Sequence, residues 1–394
     1  MKTKKKVIKK TSKKLGKHKL LTAIFIVLIS VLCLLELLYF IKFKPFFYAS
    51  EDENQMANSL IEDLLLERKI RKLSLEEKVG ALFVLGFKGV SLSPEQTEFF
   101  KDNHFIHFLL LEENIKSEEE LIKLTGELKG LNNSLLPSLI GVDQEGGEVA
   151  RIKFKDIDNT PQNQIFTLEK AYEIGKNRGE ILKSLGINLN FSPVVEIIRD
   201  NNSYLALGNR AFLGEKEKVL GLSEAMIQGY KAGGIIPVPK HFPGGLGRNM
   251  ADPHQVLPVL DITREELDKD LYIFKALAQN NQASVMMTTH LYYPLIDKDN
   301  PVTLSETFVS SILRQSLGFR GVILTDDLKM KGITNKYSVP KAALKAFQAG
   351  SDLLLISGTK EEQKQAYEVI LKAVKNGEIK EKRLNNSLKR ILKI

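Results

Sequence analysis

Residues 321–330 read GVILTDDLKM. The run Gly321–Leu324 is short and apolar, and two acids, Asp326 and Asp327, close behind it. A short apolar run bounded by polar residues reads as a buried strand. Seven other runs have this character: Ala81–Phe87, Phe105–Leu111, Ser138–Val142, Ile187–Phe191, Ile235–Val238, Ser284–Thr288 and Asp352–Ile356. Helical patterns lie between them, at Pro94–Asp102, Ser117–Leu131, Leu168–Leu185, Glu215–Lys231 and Thr263–Asn280. Strands alternating with helices argue for a parallel sheet. Eight such units in about 320 residues fit an α/β chain closed into a single (β/α)8 barrel. A doubly wound open sheet is the alternative, but no Gly-rich dinucleotide fingerprint follows the first run.

Polar groups collect just after these runs. Asp143 and Glu145 follow the third, Lys240 and His241 the fifth, His290 the sixth, and Asp326 and Asp327 the seventh. In a barrel the strand C-termini share one mouth, where catalytic residues gather. Each cluster alone has an ordinary explanation, since an Asp after a strand is often the N-cap of the next helix. Coincidence at four separate strands is harder to explain that way.

The loop after the fifth run, KHFPGGLGRNMADPH (240–254), holds Lys240, His241, Arg248, Asp252 and His254. Buried charges are costly unless paired, so a core segment would not collect them. A carboxylate two residues from an imidazole can orient the ring for proton transfer, as with Asp252 and His254. Glycoside hydrolysis usually takes two carboxylates, one of them a nucleophile. Asp326 is the candidate nucleophile, Asp327 a cap or support, and the Asp252–His254 pair replaces the second carboxylate. Arg151, Arg210, Lys240 and His241 are then candidates to bind sugar hydroxyls, because charged donors make the stronger hydrogen bonds.

The N-terminal region has another character. Residues 1–19 hold ten Lys and no acid, and without them 47 basic residues face 48 acidic ones. The net charge of +9 is therefore a property of the tail, and a nucleic-acid partner is rejected. Residues 20–41, LLTAIFIVLISVLCLLELLYFI, are long and apolar enough to cross a bilayer. The preceding Lys cluster predicts a cytoplasmic tail at 1–19 and an extracellular domain at 58–394, joined by a linker at 42–57. A signal peptide fits less well, since the run is long and no A-x-A-like cleavage site follows. Cys33, the single cysteine, lies inside the apolar run, so no disulfide framework or thiolate zinc site is expected. No metal-ligand cluster is apparent, and neither a metal nor an organic cofactor is expected.

The motifs EEKVGALFVLGFKG (76–89), GVDQEGGEVARI (141–152), GINLNFSPVVEI (186–197), LGNRAFLG (207–214), KHFPGGLGRNMADPH (240–254), MMTTHLYYP (286–294), GFRGVILTDDLKMKGI (318–333) and ALKAFQAGSDLLL (343–355) appear in that order. Together they resemble glycoside hydrolase family 3, in its bacterial β-N-acetylglucosaminidase branch. The resemblance implies a single barrel, a retaining double displacement and a covalent glycosyl-enzyme. It places Asp326 as nucleophile, His254 as acid/base and Asp252 as its partner. Asp143, Arg151, Arg210, Lys240, His241 and His290 fall on sugar-binding positions. The chain departs from the pattern by an extra Gly in KHFPGGLG, by Pro253 where Ser or Thr is usual, by Glu148 where Arg is frequent and by Glu196 where Asp is usual. The expectation is a membrane-anchored exo-acting enzyme that releases terminal GlcNAc from peptidoglycan-derived GlcNAc–MurNAc glycans. A phosphorylase using the same site and a catalytically weak sugar-binding protein are the alternatives.

Overall fold

The computed structural model describes residues 25–36, 51–132, 135–154, 156–248 and 250–394. The chain divides into two compact units, Met1–Leu65 and Leu66–Ile394.

In the first unit, residues 25–36 form an exposed helix, and a second helix, Glu51–Ile70, begins. Among the described residues no helix is long and apolar enough to cross a membrane. The span expected over 20–41 is therefore not borne out there, and residues 20–24 and 37–41 lie outside the described residues, as do the basic tail at 1–19 and residues 42–50. The linker expected over 42–57 is also corrected, since its last residues are helical from Glu51. No Gly or Pro interrupts the sequence over 51–57.

The second unit is built on eight short parallel strands. They are β1 (Phe83–Gly86), β2 (His107–Leu110), β3 (Ile140–Val142), β4 (Leu189–Asn190), β5 (Ile236–Pro237), β6 (Val285–Met287), β7 (Val322–Leu324) and β8 (Leu354–Ile356). Each falls inside one of the eight runs read from sequence. The first five pair in order, and β8 pairs with β1 with Phe83 opposite Leu354. An isolated parallel bridge between Phe242 and Thr288 joins the β5 side to β6. The β6–β7 ladder and a Leu324–Leu353 bridge complete the ring. Closure leaves no free edge and rules out the open sheet.

The helices return the chain between strands as expected, at Pro94–Asp102, Glu118–Gly130, Leu168–Ser184, Lys216–Ala232 and the pair Arg264–Asp270 and Tyr272–Gln279. Helices Leu168–Ser184 and Lys216–Ala232 meet backbone to backbone. A Cβ on Gly229 would lie 2.2 Å from the Tyr172 carbonyl oxygen, so only glycine permits this approach. A small hairpin, Gln144–Gly146 with Val149–Ala150, stands on the end of β3. At its turn Gly146 has φ +92°, and a Cβ there would strike Arg178 Nη2.

Candidate active site

The strand ends open on a cavity of about 390 Å³. Asp143 follows β3, Glu145 sits in the hairpin, and Arg151 follows the hairpin. Arg210 comes from the segment after β4, Lys240 and His241 from the extension of β5, His254 from the loop beyond it, and Asp326 from the end of β7. All of these line the cavity. Asp252 holds His254 through its Oδ1, 2.7 Å from Nδ1. Parallel closure does this work: eight strand ends share one mouth, so residues separated by up to 183 positions meet.

A four-charge cluster forms one wall. Arg210 donates to both oxygens of Glu145, at 2.9 and 2.8 Å. Lys240 Nζ lies 2.7 Å from Asp143 Oδ1 and 2.7 Å from Glu145 Oε1. Burial opposes the charged form of Glu145, yet Arg210 and Lys240 outweigh it and hold the carboxyl well below its ordinary range. Burial likewise works to lower Lys240, but Asp143 and Glu145 keep it above its usual value. The wall therefore presents fixed, fully paired charges and strong directional donors.

Asp326 and Asp327 take different environments. Asp326 is part-exposed in the cavity, with Oδ1 accepting the Asp327 N–H at 2.8 Å. Asp327 accepts N–H bonds from Lys329 and Ser357, each at 3.0 Å, and a bond from the Ser357 hydroxyl. Burial raises its pKa against these bonds. Asp327 is thus a fastening for the β7 and β8 ends, and Asp326 is the carboxylate with an oxygen that has no hydrogen-bond partner among the described residues. His254 is over half exposed at its side chain (58%), and its loop is seated on the segment after Asp326 through Gly332.

His290 does not line the cavity. It is fully buried, with Nδ1 3.0 Å from the Thr303 hydroxyl and Nε2 2.9 Å from the Asp327 carbonyl oxygen. Both ring nitrogens are engaged, so neither is left for a sugar, and the expected binding role is corrected to support of the Asp326–Asp327 turn. Three residues assigned no role from sequence matter here. In the sequence Glu145 reads only as a strand-end acid, and its two cations come from distant segments. Tyr204 places its hydroxyl 3.5 Å from His254 Nδ1 and its ring 5.3 Å from the Arg210 guanidinium carbon. Glu196 is buried beside His241. A lone Tyr in NSYLALGNR carries no local signal for its position. Among the described residues no group of three or more His, Cys, Asp or Glu is arranged to hold a metal ion.

The profile of the glycosyl hydrolase family 3 N terminal domain matches residues 74–394. The chain is 31% identical to a β-hexosaminidase of Photobacterium profundum over 287 residues, covering 72% of this chain and 84% of that protein. It is 31% identical over 292 residues to β-hexosaminidase A of Pseudoalteromonas piscicida, covering 68% of this chain and 48% of the relative, so it spans about half the length of that larger protein. Among solved structures, a family 3 β-N-acetylglucosaminidase from a Paenibacillus species superposes with a TM-score of 0.77 at 33% identity, covering 82% of this chain and 62% of that one. The closed parallel barrel, the paired charges at its mouth and these matches agree: the chain belongs to glycosyl hydrolase family 3, as a glycoside hydrolase related to the β-hexosaminidases.

Proposed function

We propose that the enzyme is an exo-acting, retaining β-N-acetylglucosaminidase that removes terminal GlcNAc from peptidoglycan-derived GlcNAc–MurNAc glycans. The observation that carries this reading is the opening of Asp326 and of the Asp252-held His254 on one cavity beside the Glu145 cluster. Asp326 attacks the anomeric carbon as the glycosidic C–O bond breaks, and His254 gives its proton to the departing oxygen. Water then attacks the same carbon, His254 takes the water proton, and the Asp326 ester bond breaks. Each inversion is followed by a second, so the β configuration is retained. Asp252 stabilises the cationic imidazole, and an uncharged ring adds no negative charge beside the nucleophile. Asp143, Arg151, Arg210, Lys240 and His241 are assigned to sugar hydroxyls. The relatives' names support the acetamido sugar.

Residues 20–41 are assigned to a single membrane span, with the Lys-rich tail in the cytoplasm and the barrel outside, where wall glycan lies. The composition of 1–41 supports this.

The test is release of 4-nitrophenol from the β-N-acetylglucosaminide and the β-glucoside, with and without phosphate. Release from the acetamido sugar alone, independent of phosphate, is expected. Phosphate-dependent release as sugar 1-phosphate would make the enzyme a phosphorylase, and no release from folded protein would leave a binding protein.

A further inference from the structure

Glu196 is a buried acid that the mechanism above does not use. Val195 N–H donates to the Lys240 carbonyl at 2.8 Å and Lys240 N–H to the Pro193 carbonyl at 3.1 Å, and this parallel contact sets Glu196 beside His241. Glu196 Oε1 lies 2.8 Å from His241 Nδ1 and accepts the His241 N–H at 3.3 Å. Its Oε2 accepts the Leu246 N–H at 2.8 Å. One carboxyl group therefore ties both ends of the segment His241–Leu246. Glu196 is 1% exposed, and His241 is its only ion-pair partner among the described residues.

The surrounding charge is already spoken for. Lys240 and Arg210 are paired with Asp143 and Glu145, and Asp270 is paired with Arg199 and Arg248. An ionised Glu196 would have no cation of its own, and a cationic His241 would stand beside Lys240 and Arg210.

We propose that Glu196 stands as a neutral carboxylic acid donating its proton to Nδ1 of His241, a positioning residue that makes His241 present an Nε2–H donor to the sugar. The inference rests on the glycosidase reading of the cavity. With Nδ1 accepting, the ring proton must sit on Nε2, whereas an ionised Glu196 would take Nδ1–H and leave Nε2 an acceptor. Burial pushes Glu196 up to about 8, against the N–H groups of Leu246 and His241 and the charge of Arg210, while Asp270 pushes the same way as burial. Burial, with Lys240 and Arg210, drives His241 well below its ordinary value, and His254 adds to this while Glu145 opposes it. Tyr293, which also faces Glu196, is held well above its ordinary value by burial and stays neutral.

The test is the tautomer of His241 in the full chain labelled with 15N-histidine, read by long-range proton–nitrogen NMR and assigned by loss of the signal in His241→Gln. Near pH 6 a bare Nδ1 and a protonated Nε2 are expected, with conversion to the Nδ1–H form as the pH passes about 8. Glu196→Gln, whose amide donates to Nδ1 at any pH, should hold the Nε2–H form up to about pH 9. In turnover, the same variant should stay within about three-fold of the unaltered chain near pH 6 and lose the rise in KM above about pH 8. An Nδ1–H or doubly protonated ring near pH 6 would overturn the proposal. The NMR readout needs no turnover, so it fails or succeeds separately from the glycosidase reading, and if Glu196→Gln does not fold, the titration of the unaltered chain still decides.

Discussion

The backbone N–H of Gly332 donates to the Pro253 carbonyl at 3.1 Å. This bond ties the loop of the Asp252–His254 pair to the segment that leaves β7 just after Asp326. The two partners in the proposed chemistry are thereby joined by a backbone bond, which Lys331 reinforces by donating to the Gln255 side chain at 3.1 Å. A Cβ on Gly332 would lie 2.9 Å from the Pro253 oxygen and 3.1 Å from that of Val256. Gly332→Ala should push the loop outward and lower kcat about ten-fold, equivalent to about 1.4 kcal/mol in the barrier, with little change in Tm. Steady-state kinetics on the aryl N-acetylglucosaminide, beside a melting curve, checks this. Unchanged kcat would show that the loop's position is not set here.

Asp326→Asn removes the attacking oxygen's charge while keeping its shape and its bond to the Asp327 N–H. Turnover should fall by about three orders of magnitude or more, and binding of GlcNAc should survive. Calorimetric titration with GlcNAc separates the two effects. Turnover within ten-fold of the unaltered enzyme would remove Asp326 from the nucleophile role.

Glu145→Gln leaves Arg210 and Lys240 with only the Asp143 carboxylate between them. Removing one member of a buried charge cluster costs about 3 kcal/mol or more, so the variant should unfold at lower denaturant concentration. Its KM should also rise, since the wall that Arg210 and Lys240 form would shift. Equilibrium denaturation alongside kinetics tests both, and unaltered stability would mean that water replaces the lost anion.

His107 lies far from the chemistry, buried on β2 with Nε2 3.2 Å from the Ala81 oxygen and Nδ1 accepting the Leu139 N–H at 3.1 Å. Burial holds it down to about 4, so the folded protein keeps it neutral while the unfolded chain protonates it near 6.5. The unfolded state therefore binds more protons between these values, and stability falls as pH drops from about 6.5 towards 4. The loss approaches roughly 3 kcal/mol. His107→Gln should flatten this part of the stability–pH curve, which denaturant melts at several pH values would show. An equally steep fall in the variant would assign the effect to other groups.

Much of the barrel was legible in the chain because each strand is a local event. A few apolar residues bounded by polar ones, repeated eight times with helices between, leave few topologies open, and every run contains its strand. The start of helix Glu51–Ile70 differs from the expected linker because composition alone does not separate a polar helical turn from a linker.

The candidate site divides along the same line. Strand-end position brought forward Asp143, Lys240, His241 and Asp326, because a parallel barrel sends every strand end to one mouth, while Arg151 and Arg210 came forward by residue type and the family resemblance. The sequence alone also marked Asp252 and His254 as a pair, since two residues' separation keeps them in reach. What only the tertiary structure decided is which charge meets which. Glu145 joins Arg210 and Lys240 across 65 and 95 positions, Glu196 finds His241, and His290 spends both nitrogens on Thr303 and Asp327. Strand register and the depth of each side chain fix those pairings, and neither is written in local spacing. The ionisation of a buried group follows from them, because burial and nearby charge act through space and not along the chain.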